Sequence, residues 1–142
     1  MTGREFLKAS EYLLKRREEA TLRSAISRSY YALFHEGRAF LNDLQVPCSR
    51  GPQAHGEVRH RLNNCGDQQM SEVARLMAQL HKQRLTADYE LEDKSFLDTN
   101  TCVLLTKSAA IGIDYLDDAR QSPARCTQIR QAILVYERNL RS

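Results

Sequence analysis

The sequence predicts an all-α protein, folded as an antiparallel up-and-down four-helix bundle with one or two extra short helices. Three observations carry this. Gly and Pro are scarce, 6 and 3 of 142 residues. Long runs rich in Ala, Leu, Arg, Glu and Gln favour helix. Apolar residues recur at steps of three and four, the period of a helix with one buried face. At 142 residues the chain has enough length for a substantial core, so residues 1–142 are read as one domain.

The first helix is expected from about Arg4 to Glu19, with Thr2 as its cap and Phe6, Leu7, Leu13 and Leu14 as its apolar stripe. Lys15-Arg16-Arg17 lies near its C-terminal end, where cations suit the helix dipole. The second helix is expected from Thr21, a good N-cap, to about Leu44. Leu22, Ile26, Tyr30, Leu33, Gly37, Phe40 and Leu44 form its core stripe. Arg28, Ala32, His35 and Ala39 fall on a neighbouring stripe, whose small alanines suggest close approach by another helix.

Pro47, Gly51 and Pro52 mark a loop from Val46 to Ala54. A short helix follows from about His55 to Asn64, with Gly66 as its stop. The next helix is expected from Gln68 to Leu85, with Met70, Val73, Leu76, Met77 and Leu80 in the core and the methionines as filler. Ala87 to Asp98 is the most acidic segment and reads as an irregular connector. A further helix is expected from Thr99 to Ala119. Ser122-Pro123 restarts the chain, a cap followed by proline at the first helical position, and the last helix runs to about Leu140.

Several function classes are excluded at this level. No segment approaches the roughly 18 uncharged apolar residues of a membrane span. The N-terminus lacks the apolar core of a signal peptide, so a cytoplasmic location is expected. Cys48, Cys65, Cys102 and Cys126 form no CxxC pair and are expected as free thiols. His55 and His60 lie five apart, a poor match to a helical metal pair, and no metal site or cofactor is expected. Phosphate-binding glycine loops, GxSxG, HExxH and Cys–His signatures are absent. The formal charge is only +3, but residues 120–142 hold five arginines against one glutamate. Such a helix either contacts phosphates or is a solvated face.

Two clusters carry chemistry. In Ser27-Arg28-Ser29-Tyr30-Tyr31-Ala32-Leu33-Phe34-His35, Arg28 and His35 lie seven apart. At about 100° per residue both leave one helix face, roughly 10 Å apart along the axis. A permanent cation and an imidazole on one stripe can bind phosphate and move protons. The same spacing fits a surface Arg and a partly buried His on an ordinary bundle helix. The second cluster, Arg84-Leu85-Thr86-Ala87-Asp88-Tyr89, places a guanidinium, a carboxylate and a phenol at a helix end. It fits a site or a plain Arg84–Asp88 ion pair at i, i+4.

Together with Ala39 and Leu41 behind the first cluster, and with Ala54-His55-Gly56-Glu57-Val58 after the loop, these segments resemble the HEPN domain family (higher eukaryotes and prokaryotes nucleotide-binding). The nearest likeness is to its small single-domain prokaryotic branch. Order and spacing agree over about residues 5–118; the Arg-rich helix, 122–140, lies outside the resemblance.

The resemblance implies a helical bundle that forms homodimers. Many such proteins are RNA-cleaving toxins paired with a small nucleotidyltransferase antitoxin. Their sites use an Arg followed, after a spacer of about four to six residues, by a His, and two protomers share one cleft. Arg28 and His35 have six residues between them. In the catalytic members the motif usually stands on a later helix, and that place here is held by Arg84 with Tyr89 and no His.

The expectation is therefore a protein that acts on or binds RNA or nucleotides, as a metal-independent endoribonuclease. His35 would be general base or acid, and Arg28 with Arg84 would stabilise the phosphorane. Tyr31, His55 and Asp88 would contact RNA or nucleotide. The alternatives are a non-catalytic dimer that binds a nucleotide or a nucleotidyltransferase, and a purely structural dimer. The structural dimer predicts a buried Arg28 paired with Asp88 or Glu36.

Overall fold

A computed structural model of the chain describes residues 1–94 and 98–141. The described residues form six helices: α1 (Gly3–Leu14), α2 (Glu19–Asp43), α3 (Ala54–Asn63), α4 (Gln68–Tyr89), α5 (Thr99–Arg120) and α6 (Pro123–Arg141). They contain no strand, as the scarcity of punctuating residues and the three-four periodicity predict. No helix among them is long and apolar enough to cross a membrane.

The expected core stripe of α2 is the buried centre of the molecule. Ile26, Tyr30, Leu33 and Phe40 are at most 1% exposed. Around it α2 packs against α1, α4 and α5 and touches α3, while α6 packs on α3 and α5. The close approach foreseen at the alanine stripe is made by α1. A Cβ at Gly3 would stand 2.5 Å from the Ala32 carbonyl oxygen, so only glycine lets the start of α1 lie on α2. Arg4 then ties the three helices together, pairing with Glu36 at 2.8 Å and Asp117 at 2.5 Å. Deeper in the same crossing, the hydroxyls of Ser10, Ser29 and Thr106 bond one another at 2.7–3.0 Å. Small side chains let the helices close, and mutual bonding satisfies polar groups that have no water.

The boundaries depart from expectation in two places, each for a local reason. α1 stops at Leu14 rather than near Glu19, because Arg17 takes a left-handed φ of 59°. α2 accordingly starts at Glu19, and Thr21 sits inside its first turn. There its hydroxyl accepts the Glu18 N–H at 3.1 Å, so it closes the turn from within instead of capping it.

α4 runs to Tyr89, past the expected end at Leu85, so Ala87 to Tyr89 are helical rather than connector. The cause is Arg23, only 7% exposed. Its guanidinium donates to the carbonyls of Thr86, Ala87, Glu90, Leu91 and Asp93 at 2.7–3.4 Å. The last carbonyls of a helix have no partner within it, and this side chain supplies one. Of the expected connector, Ser95, Phe96 and Leu97 lie outside the described residues.

Three of the five arginines of the Arg-rich end are engaged within the fold. Arg125 grips Asp67 at 2.7 and 2.8 Å, Arg130 donates to the Leu44 carbonyl at 3.0 Å, and Arg120, at the end of α5, meets Asp43 and Asp117. Asp67 is also the cap of α4, accepting the Met70 N–H. Arg138 and Arg141 are left exposed.

Candidate functional site

Three helices present side chains at helical repeat spacing to one place. α2 supplies Arg28, Tyr30, Tyr31, Phe34, His35 and Arg38; α3 supplies His55 and Arg59; α4 supplies His81, Arg84 and Asp88. On α3 and α4 the members lie three, four or seven apart; on α2 Arg28, Tyr31, His35 and Arg38 step by three and four, with Tyr30 and Phe34, four apart, on the adjoining row.

The floor of this face is aromatic. Tyr30 stacks on Phe34, centroid to centroid 6.0 Å, and His55 stacks on Phe34 at 4.3 Å. His81 lies 4.9 Å from Tyr30 and 5.7 Å from His55. His35 stacks on Phe6 of α1 at 5.2 Å, and Arg28 covers the same Phe6 ring at 5.5 Å. Phe6 thus lies under both members of the predicted Arg28–His35 stripe. Arg84 sits over Tyr30 and Tyr31 at 5.6 and 5.4 Å, and Arg38 over Phe34 at 5.1 Å. Cations over ring faces are attracted by the ring quadrupole, which holds the guanidiniums in place without neutralising them.

Few carboxylates balance this charge. Asp88 accepts from Arg84 at 3.4 Å and from the Ser27 hydroxyl at 3.3 Å. Glu36 is taken up by Arg4. Arg28 is exposed and makes no ion pair among the described residues. Two of the buried polar atoms in the cluster, Arg84 Nε and His81 Nδ1, have no hydrogen-bond partner.

All three histidines are pushed below the ordinary imidazole value. Burial is the main cause for each, and neighbouring cations add to it: Arg38 for His35, Arg84, Arg38 and Arg59 for His55, and Arg84 and Arg59 for His81. At neutral pH they are uncharged, the form that can accept a proton. Arg38 Nη2 donates to His35 Nδ1 at 3.2 Å. The Tyr30 hydroxyl meets His55 Nδ1 at 2.5 Å. Burial raises the Tyr30 phenol well above its usual value, so it keeps its proton.

Of the residues singled out in the sequence, Arg84, Tyr31, His55 and His35 share this face, with Arg28 joined through Phe6 and Asp88 beside Arg84. The Arg84–Asp88 ion pair considered for the second cluster is formed. Tyr89 is not brought in: it is 73% exposed at the end of α4, on a different side from Arg84. The buried Arg28 that a purely structural dimer requires is not found.

His81, Arg38 and Arg59 were missed. Their signal was present: His81 precedes Arg84 by three, Arg38 follows His35 by three, and Arg59 follows His55 by four. Only the packing of α3 and α4 on α2 joins these short repeats. Among the described residues no three His, Cys, Asp or Glu side chains converge to hold a metal ion.

Two clefts adjoin the cluster. One, of about 490 Å³, is lined by Phe6, His35, Arg38, Ala39 and Asn42 among others. The next, of about 530 Å³, is lined by Arg38, Asn42, Pro47, Cys48 and Arg50. A separate cleft of about 570 Å³ lies between α3 and α6 and contains none of the residues above. Comparison of the chain with protein-family models, with curated proteins and with solved structures finds no match.

Proposed function

We propose that this chain is a HEPN-type protein, an up-and-down four-helix bundle of α1, α2, α4 and α5 with α3 and α6 added. In this reading it acts on RNA at the α2–α3–α4 face as a metal-independent endoribonuclease. The observation that carries the reading is one cluster: three histidines held neutral, four arginines and a bed of aromatic rings, with Asp88 as the carboxylate in contact. Arginines without matching acids attract phosphate, rings stack on unpaired bases, and neutral imidazoles near their transition accept and return protons.

The chemistry is that of RNA itself. The 2′-hydroxyl attacks the adjacent phosphorus, and its proton passes to a neutral histidine, His35 or His55. Arg84 and Arg28 offset the charge on the pentavalent phosphorane. The bond to the 5′-oxygen breaks, and that oxygen receives the proton that the histidine accepted from the 2′-hydroxyl. Tyr31 stacks on a base or bonds a phosphate oxygen.

A second reading rests on its own observation. Arg38 occupies His35 Nδ1, and Tyr89 stands exposed where the family's histidine is expected. A homodimer that binds a nucleotide or a nucleotidyltransferase partner without cleaving RNA accommodates both. One experiment separates them. Purified chain is incubated with RNA in the presence of EDTA, beside Arg84→Ala and His35→Ala variants shown to fold by circular dichroism. The first reading expects cleavage by the wild type, lost at least about a hundredfold in His35→Ala. RNA that is bound, salt-dependently, but stays intact supports the second.

A further inference from the structure

The cleft beside Arg50 differs from the others in its charge. Arg38, Asn42, Pro47, Cys48 and Arg50 line it, so it holds two guanidiniums and an amide with no carboxylate. Arg50 is exposed and forms no ion pair among the described residues. Among the described residues Arg38 donates only to His35 Nδ1. Like charges facing one space repel unless an anion enters it.

The segment that carries Arg50 is built rather than loose. Glu57 accepts both the Ser49 N–H, at 2.8 Å, and the Ser49 hydroxyl, at 2.7 Å. Those bonds hold its carboxyl below the usual range, so this acid is spent on the loop. Arg61 donates to the carbonyls of Val46 and Pro47, at 3.3 and 3.0 Å, and to Cys48 Sγ at 3.1 Å. Glu137 in turn holds Arg61. Four consecutive residues, 46 to 49, are thus pinned before any ligand arrives, which lowers the ordering cost of binding. Burial pushes the Cys48 thiol up, so it stays uncharged beside an anion.

Arg38 and Asn42 line both this cleft and the one that contains His35. The two spaces therefore form one trough, with Arg38 at the seam. We infer that the Arg38–Asn42–Arg50 cleft is a second phosphate subsite, which receives the backbone phosphate of a single-stranded RNA next to the one on the histidine face. The inference rests on the proposed RNA reading and names the substrate's class: a single strand with at least two phosphates, not a mononucleotide.

The test is binding of a short fluorescent oligouridylate over a series of salt concentrations. Wild type is compared with Arg50→Ala, Arg50→Lys, Arg84→Ala and Arg138→Ala. Arg50 lies on an exposed loop, so its replacement keeps the fold, which circular dichroism checks. The expected result is about tenfold weaker binding in Arg50→Ala, with a salt slope smaller by about 0.7, one phosphate contact on a single strand. Arg50→Lys should keep the slope, and Arg138→Ala should match the wild type. Wild-type affinity in Arg50→Ala with weakened Arg84→Ala would overturn the subsite and leave the RNA reading standing. Equal losses in Arg50→Ala and Arg138→Ala would reduce the effect to net charge and overturn it too. Failure of the wild type to bind at all would overturn the RNA reading, and the subsite with it.

Discussion

At the scale of single residues, burial and charge act on the histidines in the same direction. His35, His55 and His81 all titrate below the ordinary value of 6.5, so the folded chain holds them neutral. For a group whose folded pKa is depressed, the stability it contributes is present above the unfolded value and lost as pH falls through the folded one. Without ligand, the protein should lose stability as pH drops below about 6.5, which thermal unfolding from pH 7.5 to 5 will show. A bound phosphate reverses the balance, because an anion favours the imidazolium. RNA affinity should therefore rise over the same interval in which bare stability falls, and a flat affinity profile would mean that phosphate does not sit near the histidines. Half of this was readable in advance. His35 and His55 stood out by chemistry and position. His81 did not, because its partners, Tyr30 and His55, are 51 and 26 residues away in the chain.

Among elements, α4 depends on a residue of another helix. Arg23 caps its C-terminal end with donors to five carbonyls, and this end carries Arg84 and Asp88. Arg23→Ala removes the donors and leaves the buried Ala87 carbonyl without this partner. The expected cost is about 2–3 kcal/mol in chemical denaturation, together with faster hydrogen exchange at residues 86–90. An unchanged midpoint would show that water caps the helix as well. The start of α1 depends on the absence of a side chain. Gly3→Ala sets a Cβ against the Ala32 carbonyl, which must push α1 away and loosen the Arg4 pairs. About 1–3 kcal/mol is expected, measured by the same unfolding. The helix positions were legible because the period of three and four survives in each segment. Their ends were less so, since the cap of α4 comes from Arg23 and the break after α1 comes from a left-handed Arg17, and neither follows from local propensity.

For the whole molecule, the all-α class and the core stripe of α2 could be read from the sequence. Gly37 and the larger apolar residues form a continuous stripe there, and Ala32 and Ala39 lie on the one beside it. The fate of the Arg-rich end could not. Five arginines over these turns fit either a phosphate-contacting or a solvated face, and three of them, Arg120, Arg125 and Arg130, are spent on Asp43, Asp117, Asp67 and a carbonyl of Leu44. Counting charge along a sequence does not show which charges are paired. Arg28, Arg38, Arg50 and Arg59, scattered through the first half of the chain, form no ion pair among the described residues, and Arg138 and Arg141 are exposed at the far end of α6. RNA is proposed to bind on the α2–α3–α4 face. The most direct measurement is an NMR titration of the isotope-labelled chain with a single-stranded RNA, following histidine ring and arginine Nε resonances. RNA bound on this face should give saturable shifts at His35, His55, His81, Arg38 and Arg84, with Arg138 and Arg141 still. Shifts confined to α6 and its cleft with α3, or none at all, would contradict it.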